Sequence, residues 1–133
     1  RDELKLLIGE MHLSGTGGLW GLGIDQDMKK TDRYIFYMSQ GGLGMPDREY
    51  YLKDAPEQSR VRTAYVKHIA ALLRLARIPA AEIDERVATI MRIETELARA
   101  SMRKEELRDP HKVYRALWWA KLLREVGNIQ VDR

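Results

Sequence analysis

Residues 40–52 read Gln40-Gly41-Gly42-Leu43-Gly44-Met45-Pro46-Asp47-Arg48-Glu49-Tyr50-Tyr51-Leu52. Three glycines stand between an apolar run and a proline. Such a cluster permits positive φ angles and close backbone approach, at a cost in unfolded-state entropy. Pro46 fixes its own φ and pushes Met45 out of the helical region. A dense Asp47-Arg48-Glu49 triplet follows, then two adjacent tyrosines. Composition alone makes this a structured turn after a strand.

Upstream of that turn, residues 19–25 and 33–38 predict two short strands. The second, Arg33-Tyr34-Ile35-Phe36-Tyr37-Met38, is rich in aromatic and β-branched types. Asp25-Gln26-Asp27-Met28-Lys29-Lys30 between them is polar enough for a hairpin loop. Leu4, Leu7, Ile8 and Met11 lie at helical spacing, and Ser14-Gly15-Thr16-Gly17-Gly18 stops that helix. A two-stranded unit is marginal alone and should pack on helices.

Downstream the pattern is helical. Val61, Tyr65, His68, Ile69, Leu72 and Leu73 form a stripe of 3.6-residue period behind Pro56, which suits a first helical turn. Ile78-Pro79 breaks this helix from the next. There Ile83, Val87, Ile90, Leu97 and Met102 line one face over about 25 residues, with Glu94 inside the same stripe. Asp109-Pro110 is a good start for a third helix, with Val113, Tyr114, Leu117, Trp118 and Leu122 as its apolar side and Gly127-Asn128 as its stop. The fold class expected is mainly α: a helical domain with one small β-hairpin near the N-terminus, residues 1–133 forming a single domain.

Composition narrows the functional classes. The 133 residues are 44% hydrophobic, which argues against disorder through lack of a core. The 23 basic and 20 acidic residues nearly cancel, so no nucleic-acid partner is expected. Cysteine is absent, which excludes disulfides in this segment and leaves the compartment open. No apolar run approaches the roughly 20 residues that cross a bilayer, so no membrane span is expected in this segment. No signal peptide opens the sequence, and Arg1 reads as a cut inside a longer protein or a processed start.

The stretch at 40–52 resembles the GGLG(L/M)PDR(D/E)YYL signature in the N-terminal helical lobe of the neprilysin and endothelin-converting-enzyme family of zinc metalloendopeptidases. Leu19-Trp20-Gly21-Leu22-Gly23-Ile24-Asp25 is similar to the family's short strand. Ile93-Glu94-Thr95-Glu96-Leu97-Ala98 is similar to its helix with an E-x-x-L-A element, and Arg108-Asp109-Pro110-His111-Lys112-Val113-Tyr114 to its RDPxKxY step. These motifs fall in register over roughly residues 4 to 115. After Tyr114 the pattern departs, and the metal-binding part has no counterpart.

The resemblance implies a non-catalytic lobe segment of a zinc-dependent endopeptidase that cleaves oligopeptides. Zinc would then belong to the parent protein and none would be bound by this chain. Its partners would be the C-terminal catalytic lobe and oligopeptide substrates, with an extracytoplasmic location, and the chain alone would be inactive. The alternative is a stand-alone helical protein–protein interaction module from a truncated gene.

Residue chemistry agrees in assigning no catalytic and no metal site, and in leaving binding residues unknown. A zinc peptidase of this type needs His-Glu-x-x-His on one helix. His12, His68 and His111 have no such spacing. Gly15-Thr16-Gly17-Gly18 and Gly21-x-Gly23 lack the Lys-Ser/Thr pair or the strand-to-helix setting of phosphate loops, so turn chemistry is preferred. Ser14, Ser39, Ser59 and Ser101 have no His-Asp arrangement in sequence. Tyr50, Tyr51, Trp118 and Trp119 read as packing residues without a basic groove beside them. Glu94 is the acid that stands out. A helix puts it on an apolar stripe, so it should be paired or hydrogen-bonded, with Arg48 and Arg108 as candidate partners.

Overall fold

In the computed structural model, which describes residues 2–117 and 121–122, helix α1 (Asp2–Leu13) opens the chain. Its last turn closes through Ser14, whose amide donates to the Glu10 carbonyl and whose hydroxyl donates to that of Met11, both at 2.9 Å. Strands β1 (Trp20–Asp27) and β2 (Lys30–Gln40) form one antiparallel hairpin. Both strands outrun their expected bounds, and the polar loop shrinks to Met28-Lys29. The reason is Asp27: its Oδ1 accepts the Lys29 N–H at 2.8 Å, closing the turn, and the register slips between Gln26 and Asp27.

The glycine-rich stretch leads into a single turn, α2 (Glu49–Leu52), opened by Asp47 Oδ1 accepting the Glu49 N–H at 2.8 Å. Helix α3 (Pro56–Leu75) starts with proline in its first turn, after an extended Ala55. Helix α4 (Ala80–Ala100) follows, then the single turns α5 (Lys104–Leu107) and α6 (Pro110–Val113). Among the described residues the architecture is therefore mainly helical with one hairpin near the N-terminus, as the sequence patterns imply.

The α3–α4 connection is a Schellman closure. Ile78 N–H donates to the Leu73 carbonyl at 3.0 Å and Arg77 N–H to that of Arg74 at 2.9 Å. Ile78 and Leu73 also belong to one hydrophobic cluster, built on buried Ile69, Ile83 and Val87. A second cluster holds Met45, Tyr51 and Ala98, with Leu43 and Val61 against it. Tyr65 and Met91 pack on both clusters and make the core continuous from α2 through α3 to α4.

Three helical expectations need correction. Helix α4 ends at Ala100, so Met102 lies beyond it. His68 and Leu72 are exposed, which narrows the buried stripe of α3 to the positions around Ile69. The third helix breaks after one turn: Tyr114 is extended at φ −79°, ψ 102°, with its hydroxyl bonded to Asp27, residues 114–117 are not helical, and Lys121-Leu122 are helical again. The Asp109 cap is as expected, its carboxylate accepting the His111 N–H at 3.0 Å. The expected packing roles of Trp118 and Trp119 and the Gly127-Asn128 stop lie outside the described residues.

Arg77 occupies the position that such a closure usually gives to glycine, with φ at 60°. A side chain there costs about 1 kcal/mol. Arg77→Gly is therefore expected to raise the urea midpoint by an amount equivalent to about 1 kcal/mol. A lowered midpoint would show that the Arg77 side chain contributes more than the strain it carries.

Candidate functional site

On α4, Ile83 and Val87 face the core, and the same helical repeat carries Glu94 toward it. A carboxyl group in that position must find donors or destabilise the fold. It finds three. Tyr51 donates its hydroxyl to Glu94 Oε2 at 2.5 Å, Tyr65 donates to Oε1 at 2.9 Å, and the Gly44 N–H makes a longer approach to Oε2 at 3.4 Å. The Met45 N–H donates in turn to the Tyr51 hydroxyl at 2.9 Å, so one chain of hydrogen bonds runs from loop backbone to helix.

The glycines make this possible by what they lack. A Cβ on Gly44 would sit 1.8 Å from the Tyr65 hydroxyl oxygen, so any other residue would expel the donor. Gly42 holds φ at 79°, and a Cβ there would press on Leu97 Cδ1 at 3.1 Å. Beyond the carboxyl, Arg48 Nη1 donates to the Ser101 carbonyl at 2.8 Å. Gln40 clamps Met102 from the hairpin side, accepting its N–H at 2.8 Å. Arg62 on α3 donates to the carbonyls of Tyr51 and Lys53 at 3.2 and 2.7 Å.

Burial and the Glu94 hydrogen bond both disfavour tyrosinate at this junction. They push Tyr65 up to about 12 and raise Tyr51 further above the ordinary tyrosine value.

A second polar junction sits at the hairpin tip. Asp27 is fully buried and takes donors on both oxygens. Oδ2 accepts from Arg33 Nε at 2.8 Å and Nη2 at 2.5 Å, while Oδ1 accepts from Lys29 N–H and from the Tyr114 hydroxyl at 2.9 Å. The Lys29 backbone bond, followed by the Arg33 and Tyr114 side chains, outweighs burial and lowers the Asp27 pKa to about 2. Lys29 Nζ lies 4.6 Å from the centre of the Tyr114 ring. The last residue of the Arg108–Tyr114 motif is thus bolted to the hairpin.

Both junctions are arrangements of donors around acceptors, suited to holding segments together. The arginine partners expected for Glu94 are replaced by tyrosine hydroxyls: Arg48 bonds a carbonyl, and Arg108 is exposed. The three histidines stand on three different helices, His12 stacked on Trp20 with ring centres 6.0 Å apart. Among the described residues no group of three or more His, Asp or Glu side chains could hold a metal ion. The donor set does not fit a zinc site. A groove on the α3–α4 face, lined by Leu73, Glu82, Glu85, Arg86, Thr89 and Ile90, holds an Arg86–Glu82 pair at 2.6 Å.

Sequence reasoning places Tyr65 in a core stripe and Asp27 in a polar loop, and misses what each does. No local signal ties Tyr65 to Glu94 or Asp27 to Tyr114, which are 29 and 87 positions apart.

A family model described as peptidase family M13 matches residues 1–133. Membrane metallo-endopeptidase-like 1 of Homo sapiens is 30% identical over 112 residues, covering 80% of this chain and 14% of that protein. Endothelin-converting enzyme 1 of Bos taurus is 28% identical over 123 residues, covering 92% and 16%. Among solved structures, zinc metalloprotease Zmp1 of Mycobacterium tuberculosis in its open state superposes with a TM-score of 0.80 at 30% identity. That match covers 89% of this chain and 18% of Zmp1. The inhibitor complex of the same protease gives 0.73 over 88% and 18%. The chain therefore spans less than a fifth of the length of these relatives.

Alkaline titration tests the Glu94 junction. Both tyrosines have raised folded-state values, so the stability they confer is complete below the unfolded value of about 10. It is lost as pH rises through about 12. Tyrosinate absorbance should show Tyr51 and Tyr65 ionising late, in step with unfolding, and single Tyr→Phe variants should each remove one late group. Tyr51 and Tyr65 ionising near pH 10 with the fold intact would contradict the geometry.

Proposed function

The chain belongs to peptidase family M13, and from that premise we propose that it is part of the non-catalytic helical lobe of a zinc-dependent metalloendopeptidase acting on oligopeptides. In this reading residues 1–133 form one domain that limits substrate access to a zinc site elsewhere in the parent protein. The observation that carries it is the M13 match across the full 133 residues, joined to a fold shared with a zinc metalloprotease of which the match covers 18%.

The chemistry of the chain supports that division of labour. Buried Asp27 and half-buried Glu94 are taken up by hydrogen bonds that join separate segments, and among the described residues no group of three or more His, Asp or Glu could hold a metal ion. No catalytic or metal-binding role is assigned to any residue here. What the residues supply is a stiff surface: a carboxyl group held by donors from three segments resists the deformation that a bulky substrate would demand. Bound zinc would activate the attacking water in the partner lobe, and the steric limit would come from this one.

The partners proposed are that C-terminal lobe and short peptides. Nucleic acid is not among them, since 23 basic and 20 acidic residues nearly cancel and some of the surface charges pair, as in Lys53–Glu49, Arg60–Glu57 and Arg99–Glu96. Among the described residues no helix is long and apolar enough to cross a membrane. An extracytoplasmic location is proposed from the membrane metallo-endopeptidase-like relative.

The test compares the intact parent polypeptide with residues 1–133 alone. The intact protein is expected to carry stoichiometric zinc and to cleave short peptides, with activity lost to a chelator and restored by zinc. The 133-residue chain should have neither zinc nor activity. Stoichiometric zinc or peptide hydrolysis in the short chain would overturn the division of labour.

A further inference from the structure

The β1–β2 hairpin has two unlike faces. The side of β2 that carries Arg33, Ile35 and Tyr37 is in use: Arg33 pairs with Asp27, Tyr114 docks there, and Ile35 and Tyr37 are half-buried. The opposite side presents Leu22 (44% exposed), Ile24 (75%), Tyr34 (76%) and Phe36 (52%). Register sets Leu22 beside Met38 and Ile24 beside Phe36, so these side chains form one contiguous patch.

On that side, the positions from Trp20 to Gln26 and from Tyr34 to Gln40 carry no charged residue. An antiparallel sheet with one face in water alternates apolar and polar along each strand. Here both faces are largely exposed, and the one without charge is apolar. A two-stranded hairpin is marginal by itself, and an exposed apolar patch of this kind marks a contact surface.

Resting on the M13 reading above, we propose that this face is where the remaining polypeptide of the parent protein docks, through an uncharged apolar surface of its own. Area decides between that occupant and a second copy of the chain. Two strands of this length present on the order of 250–300 Å². A stable dimer buries about 800 Å² per partner. A patch that small holds a tethered neighbour, whose effective concentration is millimolar or higher, far better than a free one. The tether is consistent with relatives in which this fold accounts for 18% of the chain.

The experiment places a photo-crosslinking benzoylphenylalanine at Phe36 in the intact parent polypeptide, a bulky aromatic for an exposed aromatic, and maps the adducts by mass spectrometry. The expected result is an intramolecular crosslink to a segment outside residues 1–133. Crosslinks between copies, crosslinks confined to residues 1–133, or no adduct overturn the inference. Zinc content and peptidase activity of the same protein separate the two claims. A zinc-loaded, active enzyme without the outside crosslink overturns the docking face alone. An outside crosslink in a zinc-free, inactive polypeptide overturns the peptidase reading and leaves the docking face standing.

Discussion

A carboxyl group turned toward an apolar core sets the terms for most of this structure. Glu94 sits on the inner side of α4, where leaving its oxygens without donors would cost several kcal/mol. The donors come from two other elements and the loop between them and the hairpin: Tyr51 from α2, Tyr65 from α3 and Gly44 from the glycine-rich stretch. Satisfying one side chain thereby fixes the positions of three segments. Ala98, one turn further along α4 and fully buried, shares a cluster with Met45 and Tyr51, and Leu97 meets Gly42. The Glu94–Ala98 element and the 40–52 stretch are two halves of one joint.

The Asp27 junction does for the hairpin what Glu94 does for the helices. A buried aspartate stripped of its partners would be untenable, so Lys29, Arg33 and Tyr114 are drawn to it. Through Tyr114 the segment after α4 returns to the hairpin, and through Gln40 the hairpin holds Met102, just past the end of α4. Two of the sequence motifs, 40–52 and 93–98, therefore meet at Glu94, and the last residue of a third, Tyr114, reaches Asp27. Such a design ties the hairpin, the glycine-rich loop and the helices together through two hydrogen-bonded acids.

Elements were legible where periodicity is strong. The stripes of α3 and α4, the Pro56 start, the Ile78-Pro79 break and the hairpin all follow from local patterns. The partners of Glu94 were not, because opposite charge pointed to arginines while the real donors are tyrosines that look like ordinary core residues. The break after the single turn α6 was missed for a related reason. Val113, Tyr114 and Leu117 are spaced as a helix, but the chain leaves the helix at Tyr114, whose hydroxyl donates to Asp27. Arg77 gave no warning of its left-handed conformation, since the usual glycine is absent. Family motifs, by contrast, marked Gly44, Tyr51, Glu94 and Tyr114 without revealing what joined them, and left Tyr65, Asp27, Lys29 and Arg33 unmarked.

Double-mutant cycles between Glu94→Gln and each of Tyr51→Phe and Tyr65→Phe, read from urea unfolding, bear most directly on the central claim. If the Glu94 carboxyl is the joint between loop and helices, each pair should show a coupling of about 1 kcal/mol or more. Additivity within about 0.3 kcal/mol for both pairs would mean that the three side chains are neighbours without being a joint.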